Sequence, residues 1–309
     1  MMIIRHLQYL TALAKERHFA RAAAACNVTQ PTLSAGIKQL EESLGVLLVE
    51  RGQRYVGLTA EGERALAWAQ RVLADYGGLR QELSEMGEGL SGRLRIGAIP
   101  VTLPVIALLT KPFAQRHPRV GMVVSSQTSI DIQRGLDDFS LDIGLTYLDN
   151  EPLARVRTLP LYQERYVLLT REAALAGRKT ASWAEAATLP LCLLTPDMQN
   201  RRILDLHFHQ AGAEVHAVVE TNSLITLWSQ LCLGGLSTVV PESFLLLLGA
   251  LDGLVAIPLT GPDATHLIGL VASDREPLPP VAHALLEVAR TLDLQAVINR
   301  KTLSALAPR

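Results

Sequence analysis

Residues 29–45 read TQPTLSAGIKQLEESLG, and this stretch predicts a short amphipathic helix. Thr29 is a suitable N-cap, Pro31 suits the first turn, and Gly45 suits the residue that ends the helix. An apolar stripe recurs at helical spacing, and we expect it to be buried: Leu33, Ile37, Leu40 and Leu44. The opposite face carries small or hydrogen-bonding groups and one cation: Gln30, Pro31, Thr32, Ser34, Ala35 and Lys38.

Such a face suits a DNA major groove, because short polar side chains let a helix approach base edges and phosphates. The alternative is an ordinary amphipathic surface helix. The preceding segment HFARAAAACNV (18–28) favours DNA binding, since its small residues predict a first helix and a tight turn, as in a helix-turn-helix. The following segment VLLVERGQRYVGLTAEG (46–62) predicts a hairpin wing with Arg51 and Arg54 at its tip, where they could reach phosphates.

Residues 3–64 resemble the winged helix-turn-helix of the LysR-type transcriptional regulators. The motifs that carry the resemblance are FARAA (19–23), VTQPTLS (28–34), IKQLEESLGV (37–46), ER (50–51) and LTAEG (58–62). Residues 92–309 resemble the effector-binding region of that family more loosely, through GRLRIG (92–97), LDIGL (141–145) and VVP (239–241).

The resemblance implies a bacterial regulator with promoter DNA and RNA polymerase as partners. It implies that Gln30, Thr32, Ser34 and Lys38 face DNA and that Arg51 and Arg54 face its backbone. Many family members have Arg at the position of Ala35, so one frequent DNA contact is absent here. The family also implies a homodimer, and commonly a homotetramer built from two dimers.

Composition is that of a globular protein, with 309 residues, 49% of them hydrophobic and 19% charged. Residues 1–64 contain eight Lys/Arg against six Asp/Glu, a balance of +2, whereas the remainder carries −3. No uninterrupted apolar run of membrane-spanning length occurs, and the N-terminus lacks a signal-peptide pattern, so we expect a cytoplasmic protein without a membrane partner. The three cysteines are widely spaced and predict neither a disulfide framework nor a metal site: Cys26, Cys192 and Cys232.

A long helix is predicted from Thr59 to about residue 88. Its apolar residues step by four and three, as in a coiled-coil seam: Ala65, Ala69, Val72, Tyr76, Leu79, Leu83 and Met86. We expect this seam to pair with a second chain, although packing against the chain's own body is the alternative. The predicted divisions are therefore a winged helix-turn-helix (1–58) and a linker and dimerisation helix (59–88).

The second region alternates strands and helices, which predicts an α/β fold with parallel strands. Two strands meeting at residues 162–164 and a return strand at 266–273 predict two crossings between lobes. The expected architecture is a two-lobed periplasmic-binding-protein-like effector domain, with lobe I at 92–161 plus 267–309 and lobe II at 162–266. Single helices are expected over residues 100–118 and 281–300.

Ligands of open α/β sheets lie beyond the carboxyl ends of strands. Three segments qualify, namely residues 99–102, 126–129 and 196–201, and we expect Thr102 to offer its hydroxyl and free backbone N–H groups to an anion at a helix start. The predicted effector-binding residues are Ile99, Pro100, Val101, Thr102, Ser126, Gln127, Thr128, Thr146, Met198, Arg201 and Asn222, with Tyr147, Ser223 and Thr238 on the remaining walls. For each Ser or Thr, simple helix capping is the alternative.

The effector is predicted to be a small organic anion. A loose similarity to regulators of formate dehydrogenase operons suggests formate within that class. The DNA-binding half also looks close to the peroxide-sensing branch of the family, whose members carry a reactive Cys in the loop that corresponds to residues 196–201. That loop, PDMQNR, has no Cys, and Cys192 and Cys232 lie in apolar segments that would raise a thiol pKa. These observations disfavour a thiol-based peroxide sensor, which we keep as the alternative hypothesis.

An enzyme function lacks support, because the sequence contains no G-x-S-x-G, P-loop or H-E-x-x-H motif. Its one G-x-G-x-x-G match, GEGLSG (87–92), precedes a predicted strand and does not join a strand to a helix, as nucleotide binding would need. His207 and His209 are two residues apart on a predicted helix, so they point in different directions and cannot share a metal ion. We expect one to face inward and the other outward, and we expect neither a catalytic site nor a metal or cofactor. A solute-binding module and a cytoplasmic enzyme on the same scaffold remain the rival classes.

Overall fold

The structure is a computed structural model that describes residues 2–50, 55–172, 175, 177–247 and 253–306, with only the backbone of residues 2, 85–88, 301 and 303–306. It divides into two compact units, Met1–Gly89 and Leu90–Arg309. No helix among the described residues is long and apolar enough to cross a membrane.

The first unit contains helices α1 (Met2–Glu16), α2 (Phe19–Ala25), α3 (Gln30–Leu44) and α4 (Ala60–Glu88). Helices α2 and α3 are joined by a tight turn in which Asn27 adopts a positive φ of 52°. After α3 the chain forms an antiparallel bridge between Val49 and Leu58, supported by the hydrogen bond from the Glu50 N–H to the Gly57 carbonyl at 3.0 Å. The wing tip residues Arg51 and Arg54 lie outside the described residues.

The buried cluster of this unit comes from the three short helices, the wing base and one residue of α4. It comprises Tyr9, Leu10, Leu13, Ala22, Ala23, Leu33, Ile37, Leu40, Leu48, Val49 and Ala69. Gly36 lies inside the α1–α3 contact, where an added Cβ would come 2.6 Å from the Tyr9 ring. The absence of a side chain at Gly36 therefore allows α3 to approach α1 closely.

The prediction that the whole α3 stripe is buried is wrong for one residue, Leu44. Leu44 is 51% exposed, whereas Leu33, Ile37 and Leu40 are buried. Leu44 is the last helical residue before Gly45, which takes the left-handed conformation at φ 71°, and the buried cluster on α3 ends one turn earlier at Leu40. Helical spacing correctly identifies the side of the helix, but the core does not extend to its last turn.

In the second unit, a five-stranded sheet has the order β2-β1-β3-β11-β4 among the described residues. The strands are β1 (Gly92–Ala98), β2 (Val120–Ser126), β3 (Ile143–Tyr147), β4 (Val156–Glu164) and β11 (His266–Ser273). Strands β1, β2 and β3 are parallel, and β11 pairs antiparallel with both β3 and β4. We call this sheet and its helices the first lobe; the helices are α5 (Ile106–Arg116), α6 (Ser129–Asp137), α10 (Pro280–Arg290) and α11 (Leu294–Leu306).

The second lobe contains a four-stranded sheet of order β6-β10-β5-β9 and a β7-β8 pair. Its strands are β5 (Tyr166–Thr170), β6 (Ala181–Ser182), β7 (Leu191–Leu194), β8 (Ala217–Thr221), β9 (Thr238–Pro241) and β10 (Val255–Thr260). Its helices are α7 (Trp183–Ala187), α8 (Gln199–Gln210) and α9 (Leu224–Leu233). A parallel bridge between Leu191 and Ser237 joins the two sheets, and a 3-10 helix, Glu242–Leu247, follows β9.

Two predicted helices differ from the structure because each is divided. The segment from residue 100 begins as a 3-10 helix, Pro100–Val105, since Pro104 cannot donate the hydrogen bond that an α-helix would need there. The C-terminal segment is interrupted after Arg290, and the Asp293 carboxylate accepts the Ala296 N–H at 2.9 Å to start a new helix. Three elements of the structure do not follow from the sequence patterns above: β6, α7 and β10.

Candidate functional site

Helix α3 is the candidate DNA-binding element. Its N-cap Thr29 accepts the Thr32 N–H at 3.4 Å, and the two threonine hydroxyls are 2.8 Å apart. Opposite the buried stripe, all the predicted DNA-facing side chains of the helix are exposed: Gln30, Pro31, Thr32, Ser34 and Lys38. The Lys38 ammonium lies 3.6 Å from the Glu42 carboxylate, an exposed pair that adds little to stability.

Helix α4 follows directly from the wing. The Thr59 hydroxyl accepts the Gly62 N–H at 2.9 Å and donates to the Leu47 carbonyl, so Thr59 caps α4 and ties it to the wing base. Beyond Ala69, four seam residues are exposed in the single chain: Val72, Tyr76, Leu79 and Leu83. The side chain of Met86, the last predicted seam residue, lies outside the part that the structure describes. Four large side chains exposed along one heptad stripe are typical of a helix that pairs with another chain.

The candidate ligand region lies where the strand ends of the two lobes meet the start of α8. Thr146 donates to the Gln199 side chain at 3.4 Å, and the Gln199 amide also donates to the Asn150 carbonyl. The Arg202 guanidinium forms an ion pair with Glu151. The first turn of α8 is thus bound to the segment that follows β3, by side chains of the chain itself.

Thr102 is not available in the way the sequence predicted. It is fully buried, its N–H donates to the Ile99 carbonyl at 3.0 Å, and its hydroxyl donates to the same carbonyl at 2.8 Å. Ile99, Pro100 and Val101 are buried around it. Because this turn is a 3-10 helix that uses the Thr102 N–H internally, it leaves no free N–H at Thr102 for an anion.

The segment after β2 combines capping with an unsatisfied polar group. Thr128 accepts the Asp131 N–H at 3.1 Å and caps α6, which is the ordinary structural role of such a residue. Ser126 is exposed at the strand end. The Oε1 atom of Gln127, by contrast, is buried and has no hydrogen-bond partner among the described residues. Burying an oxygen atom without a hydrogen-bond partner destabilises the fold unless another molecule or group supplies the hydrogen bond.

The segment after β7 also contains one unpaired buried polar group beside groups that are hydrogen-bonded within the chain. Thr195 places a buried hydroxyl without a hydrogen-bond partner among the described residues directly after the strand. Met198 is the N-cap of α8 but supplies no side-chain hydrogen bond, whereas Arg201 donates to Asp205 at 2.8 Å and to Glu220 at 2.6 Å. Although burial acts to lower it, the pKa of Arg201 is raised by these two carboxylates. Arg201 is thus neutralised within the fold.

Two further residues, Asn222 and Thr238, were also predicted to line the ligand region. Asn222 is exposed after β8, and the Ser223 hydroxyl caps α9 by accepting the Thr226 N–H. Thr238 lies at the start of β9, next to Ser237, which bridges to Leu191 at the start of β7. Thr238 is buried, and its hydroxyl has no hydrogen-bond partner among the described residues. Its place on the wall of the ligand region stays a prediction.

A buried polar cluster that the sequence analysis did not identify lies at the crossing between the lobes. Glu164 is 2% exposed and accepts hydrogen bonds from the hydroxyls of Tyr147 and Ser243, each at 2.9 Å, with Tyr162 at 3.5 Å. Burial raises the pKa of Glu164 to about 8, against the opposing effect of these donors. Asn200 of α8 donates to the Tyr147 hydroxyl at 3.0 Å, so the cluster also touches the second lobe.

The cysteines are free thiols. Cys192 is fully buried within β7, and burial raises the pKa of its thiol, as it also does for Cys26 of the first unit. Cys232, on α9, is only partly buried, contrary to the expectation of an enclosed apolar position. Raised thiol pKa values disfavour the reactive thiolate.

Comparisons with known proteins agree with this architecture. A model of the bacterial regulatory helix-turn-helix protein, lysR family, matches residues 4–63, and a model of the LysR substrate binding domain matches residues 87–293. The DNA-binding transcriptional dual regulator OxyR of Escherichia coli K12 is 33% identical over 291 residues, which covers 94% of this chain and 95% of that protein. A probable hydrogen peroxide-inducible genes activator of Streptomyces viridosporus is 36% identical over 246 residues, or 78% of each chain.

Solved structures show the same similarity. A full-length OxyR variant from Pseudomonas aeruginosa superposes with a TM-score of 0.73 at 28% identity, covering 94% of this chain and 98% of that one. Full-length CbnR in complex with its target DNA has a TM-score of 0.65 at 22% identity, covering 93% and 99%. The second likeness is one of fold alone.

Proposed function

Because the chain belongs to the LysR family of bacterial transcriptional regulators, we propose that it binds promoter DNA through α3 and responds to a small-molecule effector in its two-lobed domain. The observation that carries the DNA-binding part is the division of α3 into two faces. Leu33, Ile37 and Leu40 are buried, whereas the five predicted contact residues on the opposite side are exposed. An exposed face of short polar groups on the second helix of a helix-turn-helix is suited to the major groove.

We propose a homodimer joined along α4, and a homotetramer built from two such dimers. The exposed seam residues of α4 support the pairing. Two recognition helices would then contact major grooves about one helical turn apart, and joining two modestly basic modules would strengthen their binding to phosphates. Contact with RNA polymerase at the promoter is part of the same proposal and follows from the family.

For the effector we propose a small organic anion held between the lobes. Support comes from the buried unpaired oxygens of Gln127 and Thr195, which follow β2 and β7. The Thr195 hydroxyl can donate to a carboxylate, and the Gln127 side chain can donate or accept, depending on which way its amide is turned. Formate is the specific acid put forward by the sequence analysis, and neither residue distinguishes it from another small carboxylate.

The relatives named as hydrogen peroxide-inducible activators make thiol-based peroxide sensing the second candidate function. Against it stand the Cys-free segment 196–201 and the burial of Cys192. Cys232 is partly buried and so remains the thiol to test. We therefore propose regulation by an organic anion as the first candidate function and peroxide sensing as the second.

A thermal-shift screen of the full chain separates the two candidates. A panel of small carboxylates, beginning with formate, is compared with hydrogen peroxide followed by a reductant. A ligand that binds only the native state raises the melting temperature by mass action. We expect one acid to raise the melting temperature in a saturable way. The rise should be abolished in Thr195→Val and kept in the control Thr226→Val, which changes an exposed threonine. No rise with any acid, together with a shift on peroxide that is lost in Cys232→Ser, would replace the first proposal with the second.

A further inference from the structure

Three titratable side chains and one amide lie in a row between the lobes. Asp149 follows β3, His266 begins β11 of the same sheet, and His207 belongs to α8 of the second lobe. The Asp149 carboxylate is 3.4 Å from Nδ1 of His266, and Nε2 of His266 is 2.9 Å from Nε2 of His207. Gln210 completes the row, with its Oε1 3.3 Å from Nδ1 of His207. An imidazole–imidazole contact thus connects the first lobe to the second.

The row can hold a limited number of protons. Each outer Nδ1 faces an oxygen atom, which favours an N–H at both Nδ1 positions. With both imidazoles neutral in that form, two lone pairs would face each other across 2.9 Å. One added proton on an Nε2 resolves this conflict, because a single N–H then donates to the other ring. The neutral pair resolves it as well when the Gln210 amide is turned to donate to Nδ1 of His207, since His207 then carries its N–H on Nε2 and donates to His266. A second added proton would place two N–H groups of like-charged rings face to face, and the contact would break.

A proton fits the gap better than a metal ion does. The separation of 2.9 Å is a normal hydrogen-bond distance, whereas two nitrogen ligands at about 2.0–2.1 Å from a tetrahedral zinc ion would lie farther apart, at about 3.4 Å. Among the residues that the structure describes, no group of three or more His, Cys, Asp or Glu side chains could hold a metal ion.

The surroundings of the pair are largely aromatic. The ring of Trp183 on α7 lies 5.1 Å from the ring of His207, and Tyr166 of β5 lies 6.3 Å from both imidazoles. Tyr147 of β3 meets His266 edge to face at 5.8 Å. Among the described residues, the acidic groups near the pair are Asp149, Asp263 at longer range, and Glu164. Glu164 is the cross-strand partner of His266 in the β4–β11 pairing, and it accepts the hydrogen bond of Tyr147. Burial, with a contribution from His266, lowers the pKa of His207.

We propose that Asp149, His266 and His207 form a proton-operated clasp between the lobes, which holds with up to one shared proton and opens when both imidazoles are protonated. In the closed state Asp149 also accepts the Leu267 N–H at 2.8 Å, so the clasp fixes the start of β11. Acidification releases α8 from β11. The regulatory use of this step, a change in the effector response at acid pH, rests on the proposed function, but the clasp itself does not.

Hydrogen exchange of the full chain, without DNA or effector, tests the clasp directly. Peptides that cover α8 and the start of β11 are followed at pH values on either side of the ordinary histidine range, at about 7.5 and about 5.5, after correction for the intrinsic exchange rate. We expect protection in both peptides to fall by about tenfold or more on acidification, while β1 and β2 keep theirs. Equal corrected protection at the two pH values would overturn the proposal.

Two substitutions and one control assign the effect to the row. His207→Gln keeps an amide donor for His266 but cannot take the second proton, so its protection should persist at acid pH. His209→Gln removes an exposed histidine from the same helix and should behave as the unsubstituted chain does. Asp149→Asn keeps an acceptor but removes the anion, so the loss of protection should move to lower pH. If His207→Gln does not fold, the Asp149→Asn shift decides alone, and an unchanged midpoint would contradict the clasp.

Discussion

The Tyr147 hydroxyl donates a hydrogen bond of 2.9 Å to the carboxyl group of Glu164 inside the core. Tyr147 ends β3, and Glu164 ends β4 just before the chain crosses to β5. The same hydroxyl accepts from Asn200 of α8 and lies 3.1 Å from the Tyr166 hydroxyl. A buried acid therefore organises the point at which the two lobes are joined.

The first prediction concerns the pH dependence of stability at Glu164. Its pKa is raised from 4.5 to about 8 in the folded chain. Between those values the unfolded state has lost the proton and the folded state keeps it, so the contribution of Glu164 to stability is greatest below the lower value and falls by about 1.4 kcal/mol per pH unit up to the folded pKa. Glu164→Gln removes this loss, and we expect its melting temperature to exceed that of the unsubstituted chain increasingly as pH rises from about 5 to about 8.

Thermal melts of both proteins across this range measure the effect. Glu214→Gln, at an exposed position of the second lobe, is the control and should show no such trend. A Glu164→Gln chain that is less stable by the same amount at every pH would show that Glu164 is ionised in the native state, contrary to the prediction.

The second prediction concerns Lys38, which is exposed on α3 and paired with Glu42. Lys38→Ala should weaken binding to operator and random DNA alike and reduce the salt slope by about one per contacted phosphate, since a lysine contact to phosphate carries no sequence information. Glu42→Gln removes the competing carboxylate, so its DNA affinity should rise or stay equal. Fluorescence anisotropy at several salt concentrations measures both. A loss confined to operator DNA would instead assign Lys38 to a base.

The third prediction concerns the α1–α3 contact. A Cβ at Gly36 would lie 2.6 Å from Cδ2 of Tyr9, so Gly36→Ala forces the ring or the helix to move. We expect a loss of about 1–3 kcal/mol in the stability of the first unit, as for other overpacked cores. Gly77→Ala is the control, because nothing lies within 4 Å of its added Cβ and alanine favours the helix. Chemical denaturation measures both, and equal stability of the two variants would contradict the packing argument.

The parts of the fold that were predictable from the sequence depend on local signals. Thr29 and Gly45 bound α3 in the structure as predicted, because caps act within a few residues of the helix end. The capping box of α7, formed by Ser182 and Glu185, carries the same kind of signal and was overlooked. Asp293, which starts α11, was another such signal within the segment predicted as one helix.

The site depends on contacts that are distant in sequence. His207 and His209 point in different directions, as their spacing predicts, with His207 buried and His209 exposed. The partner of His207 is His266, 59 residues later, and no periodicity connects the two. For Thr102, the sequence suggests a binding site that the structure does not allow. Its residue type and position suggest an anion site, but the proline-rich turn around it consumes its N–H in a 3-10 hydrogen bond.

The last prediction concerns the exposed seam of α4. Leu79 and Leu83 are 52% and 60% exposed in the single chain, and covering this exposed part against a second α4 would contribute about 1–2 kcal/mol for each side chain. The double substitution Leu79→Glu and Leu83→Glu places charges in that seam, so we expect sedimentation to show monomers. We also expect operator affinity to fall steeply, since a monomer presents one recognition helix in place of two. Arg80→Ala, at an exposed position of the same helix that is not part of the apolar seam, is the control and should remain oligomeric. An oligomer that survives the double substitution would place the contact between chains elsewhere and leave the exposed leucines of α4 to another partner.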